Sequence, residues 1–196
     1  MDELITWLDE KTDFFIAPGS TAYHMACDGG LCRHSLNVYK AMKMLFGTFK
    51  PLALPNKQFN EISDDTMIVC ALLHDVCKVN FYKKVTKMWK DDGVAYGSQW
   101  KSYYGYSCED TLPLGHGEKS VILIQNFIKL TCTEMIAIRW HMGNADSGVY
   151  MSPYERPALQ TANNECPLAV LLQTADYAAT YLMEEQTDLR KDNALN

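Results

Sequence analysis

The stretch from Met67 to Val76 constrains the fold of this chain more than any other. It is apolar nearly all round, and only His74 and Asp75 interrupt it. A helix without a polar face must be covered on most sides, so the chain has to wrap other elements around it. Ser63, followed by two acids, predicts the start of this helix, because a hydroxyl caps its first free N–H groups. Two polar side chains at the end of a buried helix are costly unless they are paired or ligate something.

Two further predicted helices turn a polar side chain toward an apolar interior. Residues at spacings of three and four form one stripe on a helix from about Leu31 to Leu45, and His34 lies on that stripe. A strong helix from Leu168 to Met183, with Pro167 at its first position, carries Asp176 within its apolar face. Acids are rarely buried without a partner, so these positions indicate a polar site inside the fold.

The histidines are distributed in a way that favours a metal site. His116 opens a predicted helix over about 116–129, and His141 lies near the end of another, which Thr131 and Glu134 open as a capping box. With His34 and His74, four of the chain's 5 histidines fall where inward-facing helices begin or end. Imidazole and carboxylate groups are common metal ligands, and their gathering in one interior predicts a metal centre.

Composition narrows the class of protein. The 196 residues fit one domain, predicted to span 1–196, which is large enough to be stable without disulfides. The 7 cysteines are odd in number and form no C-x-x-C pair, so we expect reduced thiols and a cytoplasmic location. We expect no signal peptide and no membrane span. A net charge of -6 disfavours general binding to nucleic-acid backbones.

A lysine- and aromatic-rich segment interrupts the helices. Alternating residues around Asp91-Asp92-Gly93, followed by Val94-Ala95-Tyr96, predict a β-hairpin insertion at about 80–106 with Asp-Gly as its turn. The predicted fold is therefore all-α, a bundle of about six or seven helices with one β-hairpin insertion. Breakers predict irregular structure or loops elsewhere: 13–29, 47–60 and 143–165.

The order of these residues resembles a known signature. The set His34 … His74-Asp75 … Asp176 is similar to that of the HD superfamily of metal-dependent phosphohydrolases, and the resemblance covers about residues 14–185. His116 and His141 resemble the two extra ligands of its dinuclear branches, among them cyclic dinucleotide phosphodiesterases and a bacterial 3′-to-5′ exoribonuclease. Four sequence contexts resemble the exoribonuclease-like members: Gly29-Gly30-Leu31 before His34-Ser35-Leu36, Leu73-His74-Asp75-x-x-Lys78, Leu114-Gly115-His116 and Trp140-His141-x-Gly143.

The resemblance implies a dinuclear metal centre. His34, His74, Asp75 and Asp176 would hold one divalent ion, and Asp75 would bridge to a second ion held by His116 and His141. Mn, Fe, Ni, Mg or Zn would suit such ligands. The implied reaction is hydrolysis of a phosphate ester by a metal-activated water, with Asp75 and Lys78 as catalytic residues. Lys78 would offset the charge that develops on phosphate oxygens.

The implied substrate is a nucleotide or a short oligonucleotide, and a phosphodiesterase is favoured over a monoesterase. The residues before His34 leave no room for the small β-barrel that the exoribonuclease carries there, which favours a small substrate over a long polymer. The tandem His-His and the Gly-Tyr-Pro of cyclic di-GMP phosphodiesterases are also missing. Four side chains are predicted to bind substrate: His24, Lys78, Lys83 and Lys87.

Other interpretations remain open at this point. The same six ligands occur in HD-fold di-iron oxygenases, which act with O₂ on small phosphorylated or polyol substrates. A non-catalytic nucleotide sensor would also use such a cleft. The hairpin is either a lid that contacts substrate or a solvated ribbon whose aromatic rings pack on the helices. Glu118 and Lys119 are expected to form an exposed helix start, and the alternative is that Lys119 lines the cleft.

Overall fold

The computed structural model describes residues 1–52, 56–91, 97, 99–145, 152–186 and 188–195. These residues are mostly helical, as the sequence predicts, and one antiparallel hairpin interrupts the helices. None of the helices in these ranges is long and apolar enough to cross a membrane. The α-helices are α1 (Asp2–Glu10), α2 (Gly30–Phe49), α3 (Lys57–Asn60), α4 (Asp64–Leu73), α5 (His116–Gln125), α6 (Cys132–Trp140), α7 (Glu155–Glu165), α8 (Pro167–Ala178) and α9 (Leu189–Asp192).

The apolar helix α4 lies in the middle of the core. It packs against α2 and α6, and α8 packs against the same two helices. The predicted stripe on α2 is buried from Leu31 through Val38 to Met42, and α8 buries Leu171 and Leu172. Helices with apolar faces this broad stabilise one another by removing those faces from water. The polar C-terminal end of α4 and the polar positions on α2 and α8 are thereby brought into one interior.

The predicted helix starts are confirmed in detail. The Ser63 hydroxyl accepts a hydrogen bond from the backbone N–H of Thr66 at 3.1 Å. Thr131 and Glu134 form the complete capping box at the start of α6. Pro167 occupies the first turn of α8, where its missing N–H leaves no helical hydrogen bond unmade. Each of these caps fixes where a site-bearing helix begins, and so sets the direction of its side chains.

Two predicted loops are wrong in part. Helix α2 runs on to Phe49 and α3 forms within 47–60. Helix α7 occupies the second half of the loop predicted for 143–165, whose residues 146–151 lie outside the described ranges. At the start of α7, the backbone N–H of Ser152 donates to the Glu155 carboxylate at 3.0 Å, and the N–H of Glu155 donates to the Ser152 hydroxyl at 3.1 Å. Pro157 falls in the first turn of α7, where a proline is tolerated. The Ser-x-x-Glu spacing was the available signal.

The hairpin is present where the sequence predicts it. Strand β1 (Tyr82–Asp91) pairs antiparallel with β2 (Gln99–Cys108), in a register that sets Tyr82 opposite Cys108 and Asp91 opposite Gln99. The predicted turn residues Asp92-Gly93 and the stretch Val94-Ala95-Tyr96 lie outside the described residues. A short strand that the sequence analysis did not predict, β3 (Ala194–Leu195), pairs with the outer side of β2.

Candidate metal centre

Six predicted ligands converge because five helices begin, end or pass at one place. His34 lies in α2 and Asp176 in α8, while His116 is the first residue of α5 and His141 the C-cap of α6. His74 caps the end of α4. At Asp75 the backbone leaves the helix, with φ -104° and ψ 15°, and a short 3₁₀ turn (Val76–Lys78) follows. This change of direction lets two adjacent side chains face the same interior, which a continued helix would prevent.

The carboxylate of Asp75 is the centre of this cluster and is only 2% exposed. Its Oδ1 lies 2.6 Å from Nε2 of His116 and 3.5 Å from Nε2 of His141. Its Oδ2 lies 3.6 Å from Nε2 of His74 and 3.7 Å from Nε2 of His34. The two oxygens thus face two different pairs of histidines. Asp176 completes one of these groups, with Oδ1 3.1 Å from Nε2 of His34.

Backbone carbonyls fix the tautomers of two buried histidines. Nδ1 of His74 donates to the carbonyl of Ala71 at 2.9 Å, and Nδ1 of His141 donates to the carbonyl of Ile138 at 2.7 Å. The Nε2 atoms of both rings therefore carry lone pairs that point into the cluster. Although buried, neither Nε2 atom has a hydrogen-bond partner among the described residues. A buried polar atom without a partner is costly, and a metal ion would satisfy both nitrogens. The cluster could therefore hold metal ions.

Glu184 is a site residue that the sequence analysis missed. Its carboxylate oxygens lie 3.0 and 3.2 Å from Nδ1 of His34, so the ring donates to Glu184 and presents Nε2 to the cluster. The amide of Asn37 holds the carboxylate in place at 3.1 Å. Carboxylates that orient a ligating histidine in this way raise its basicity and tighten metal binding. Glu184 and His34 are 150 residues apart in the chain, and no local pattern joins them.

The histidines of the cluster differ in their pKa values. Burial disfavours a charged His34, but its hydrogen bonds to Asp176 and Glu184 outweigh burial and raise its pKa to about 9. Burial lowers the pKa of His74 to about 4, so this ring is neutral. Asp75 is also buried, yet Lys78 and the surrounding histidines hold its pKa well below its usual range. The centre therefore offers a carboxylate and a neutral imidazole, together with an imidazole that must lose a proton before it can bind a metal.

We expect metal binding to release a proton from His34. Below pH 9 the metal-free ring is charged, and a metal must replace the proton on Nε2. Mn²⁺ affinity should therefore rise with pH by up to about tenfold per unit and level off near pH 9. Titration calorimetry at pH 7 in two buffers of different ionisation enthalpy would count the released protons. An affinity that is independent of pH from 6.5 to 8.5 would contradict this assignment.

Lys78 and His24 reach the cluster from its open side. Nζ of Lys78 donates to Oδ2 of Asp75 at 2.5 Å and to the carbonyl of Gly19 at 2.9 Å. Burial disfavours the charged lysine, but the attraction of Asp75 prevails and raises its pKa. His24 has its ring centroid 5.0 Å from that of His34, and its buried Nε2 has no partner among the described residues. Both side chains line a cleft of about 430 Å³ that also contains His34, Asp75 and Asp176.

The structure does not bring Lys83 and Lys87 to this cleft. Lys83 forms an ion pair with Glu109, and neither lysine is among the residues that line the cleft. The neighbouring Lys84 lies 3.7 Å from Asp28. The hairpin begins beside the metal centre, as its position after Lys78 implies, but Lys83 and Lys84 pair with acids outside the cleft. Their predicted contact with a small substrate therefore has no support in this geometry.

Lys119 is buried, which differs from the exposed helix start expected from the sequence. It is 7% exposed, and its Nζ lies 2.6 Å from Asp110. The first turn of α5 packs against the segment after Asp75, where the Ser120 hydroxyl accepts a hydrogen bond from the N–H of Cys77. Lys119 therefore lies beside His116, in a second cleft of about 260 Å³ that Lys78 also lines. Glu118 pairs with Arg139 instead.

Comparison with known proteins adds no assignment to this geometry. No protein-family model matches the chain, and neither the curated proteins nor the solved structures include a significant match to it.

Proposed function

We propose that the chain is a metal-dependent phosphohydrolase of the HD type, with a dinuclear centre around Asp75. One observation carries the proposal: a buried carboxylate turns its two oxygens toward two groups of imidazole Nε2 atoms. The Nε2 atoms of His74 and His141 have no hydrogen-bond partner among the described residues, whereas a purely structural histidine cluster would satisfy them. The ordered resemblance to the HD superfamily agrees with this arrangement, ligand by ligand.

Each side chain has a distinct proposed role. His34, His74 and Asp176 would hold one ion with Oδ2 of Asp75, and His116 and His141 would hold the second with Oδ1. When bound, such ions act as Lewis acids and lower the pKa of a coordinated water, which supplies a nucleophile near neutral pH. Lys78 would hold a phosphate oxygen and offset its charge. His24 lines the same cleft, and its Nε2, which has no hydrogen-bond partner among the described residues, would donate to the phosphate when protonated there.

The substrate that fits best is a nucleotide or a short oligonucleotide, and we favour a phosphodiester. A cleft of about 430 Å³ lies in the range of small-molecule sites, and its size suits one nucleotide better than a long polymer. The chain's charge of -6 also disfavours attraction of an extended phosphate backbone. The second cleft beside His116 offers room for a leaving group, which a diester would need.

We expect His116→Ala and His141→Ala each to lower the metal content from about two ions per chain toward one. Both imidazoles face Oδ1 of Asp75 and neither belongs to the His34 group. Elemental analysis after dialysis would measure the ratio. His24→Ala is the matched control, because it removes a neighbouring imidazole that lies outside both proposed ligand groups. An unchanged ratio in both ligand variants would contradict a second ion held by His116 and His141.

The test of the function is a panel of phosphomonoesters, phosphodiesters and short oligonucleotides, assayed with Mn²⁺, Mg²⁺, Ni²⁺, Fe²⁺ or Zn²⁺. Metal-dependent release of an alcohol or of phosphate from at least one class is expected, and a diester should be the better substrate. Consumption of O₂ with Fe²⁺, without ester cleavage, would replace the hydrolase with the oxygenase alternative. Nucleotide binding without turnover under any metal would identify a sensor.

A further inference from the structure

Two tyrosines stand at the rim of the metal cleft. Tyr177 follows the ligand Asp176 in α8, and Tyr181 lies four residues later in the π-helical turn Ala179–Met183. Their rings contact each other, with centroids 4.6 Å apart and planes inclined by 42°. Tyr177 is nevertheless 66% exposed and Tyr181 is 61% exposed. Both line the cleft that contains Asp75 and Lys78, so their free surfaces face a space that leads to the metal centre.

We propose that Tyr177 and Tyr181 form the base-binding subsite of this cleft, on which the nucleobase of a nucleoside phosphate stacks. The assignment rests on the proposed function, because it assumes that the phosphate lies at the metal centre. It adds that the base, and not the phosphate alone, determines which esters bind. The nucleotide substrate proposed above thereby gains a specific place for its aromatic base.

The spacing of the side chains supports this placement. Asp176 and Thr180 form one row along α8 and the π-helical turn, and Tyr177 and Tyr181 form the next row, since residues four apart are neighbours on a helix surface. All four side chains line the cleft. The row with Asp176 faces the centre, and the tyrosine row therefore follows it at the edge. π-Helical turns inside helices are frequent at functional sites, because they shift a side chain relative to the row before it.

The chemistry of the rim also fits a base better than another ligand group. Stacking on an aromatic ring accepts every nucleobase, because each base has a π-face. A tyrosine presents a flat apolar ring and keeps its hydroxyl in water, so it can remain exposed until a base covers it. The tyrosines carry no charge that would compete with Lys78 for the phosphate. A substrate held at both ends would be oriented along the cleft.

The experiment measures binding of AMP and of ribose 5-phosphate to the Mn²⁺-loaded protein by titration calorimetry. The two probes share sugar and phosphate and differ in the base. We expect AMP to bind about tenfold or more tightly than ribose 5-phosphate. Tyr177→Ala and Tyr181→Ala should each reduce this advantage and leave the affinity for ribose 5-phosphate unchanged. Tyr177→Phe and Tyr181→Phe keep the ring and should retain the advantage.

Tyr154→Ala is the matched control, since Tyr154 is a tyrosine that is 88% exposed and does not line the cleft. It should behave as the wild type. All these rings are exposed, so the variants should keep their thermal unfolding temperature. Equal affinity for the two probes, or alanine variants that weaken both equally, would overturn the proposal. So would a change in oligomeric state with the AMP advantage retained, because the tyrosines would then join copies of the chain.

The outcomes also separate this inference from the proposed function. Loss of the AMP advantage in the alanine variants, in a protein that cleaves no ester, would support the base subsite and overturn the hydrolase. Conversely, nucleotide hydrolysis whose KM is the same in wild type and in both alanine variants would support the hydrolase and overturn the base subsite.

Discussion

Replacing Asp75 with alanine is expected to abolish turnover and to remove most of the bound metal, while the helices remain folded. Among the described residues, Asp75 is the one carboxylate whose two oxygens face both groups of histidines, so its loss should weaken both proposed sites at once. Turnover should fall by far more than tenfold, which is the effect of only about 1.4 kcal/mol on the barrier. Steady-state kinetics and elemental analysis on the same preparation would measure the two losses together.

A structural side effect must be separated from this loss. Without Asp75, the ammonium group of the largely buried Lys78 would retain, among its hydrogen-bond acceptors in the described residues, the carbonyl of Gly19. Breaking a buried ion pair lowers the free energy of unfolding by on the order of 3–5 kcal/mol. The double variant Asp75→Ala/Lys78→Met removes both charges and should recover thermal stability without recovering activity. Asp75→Asn keeps the shape of the side chain and tests the charge alone. Turnover above about a tenth of wild type in Asp75→Ala would remove Asp75 from the mechanism.

The second large effect is expected at Glu184, which touches no proposed metal position. Glu184→Gln should lower the affinity for Mn²⁺ by about 10- to 100-fold, because the carboxylate fixes the orientation of His34 and raises its basicity. The pKa of the metal-free His34 should fall as well, since one of the hydrogen bonds that raise it loses its charge. Metal titrations at several pH values would show both changes: weaker binding, and a pH dependence that levels off at lower pH.

Glu185→Gln is the matched control for this variant. Glu185 is the adjacent acid, it is exposed, and its removal changes the net charge by the same amount. It should leave Mn²⁺ affinity unchanged. If the two variants weaken binding equally, the effect of Glu184 is a general loss of negative charge and not the positioning of His34. If neither variant changes binding, the hydrogen bond to His34 is structural only.

Several residues of the candidate site can be predicted from the sequence because each of them interrupts a local pattern. His34, His74 and Asp176 stand out because each interrupts an apolar stripe, and helical periodicity then gives the direction of the side chain. The hairpin and the caps are encoded by local patterns in the same way. Local patterns also explain the error at α7, where the signal was present in Ser152 and Glu155 but the many Gly, Pro and Asn residues nearby favoured a loop.

The sequence does not indicate Glu184, and it favours an exposed Lys119 over one that lines the cleft, for a different reason. Each is a charged residue near the end or the start of a helix, where a solvated side chain is the ordinary expectation. Their burial arises only when distant segments pack, α2 against the π-helical turn for Glu184 and α5 against the 3₁₀ turn after Asp75 for Lys119. Tyr177 and Tyr181 could not be predicted as cleft residues for the same reason, because only the folded chain shows that they line the cleft.

The hydrogen bond between His34 and Glu184 has a consequence for how the protein matures. Its partners are 150 residues apart, so a chain that is still being synthesised presents His34, His74 and Asp75 long before Glu184 exists. Early helices of a nascent chain can pack, but the carboxylate that orients the first histidine is made after all six proposed ligands. If the chain holds metal as proposed, tight loading would wait until the segment that carries Glu184 has packed against the helix of His34.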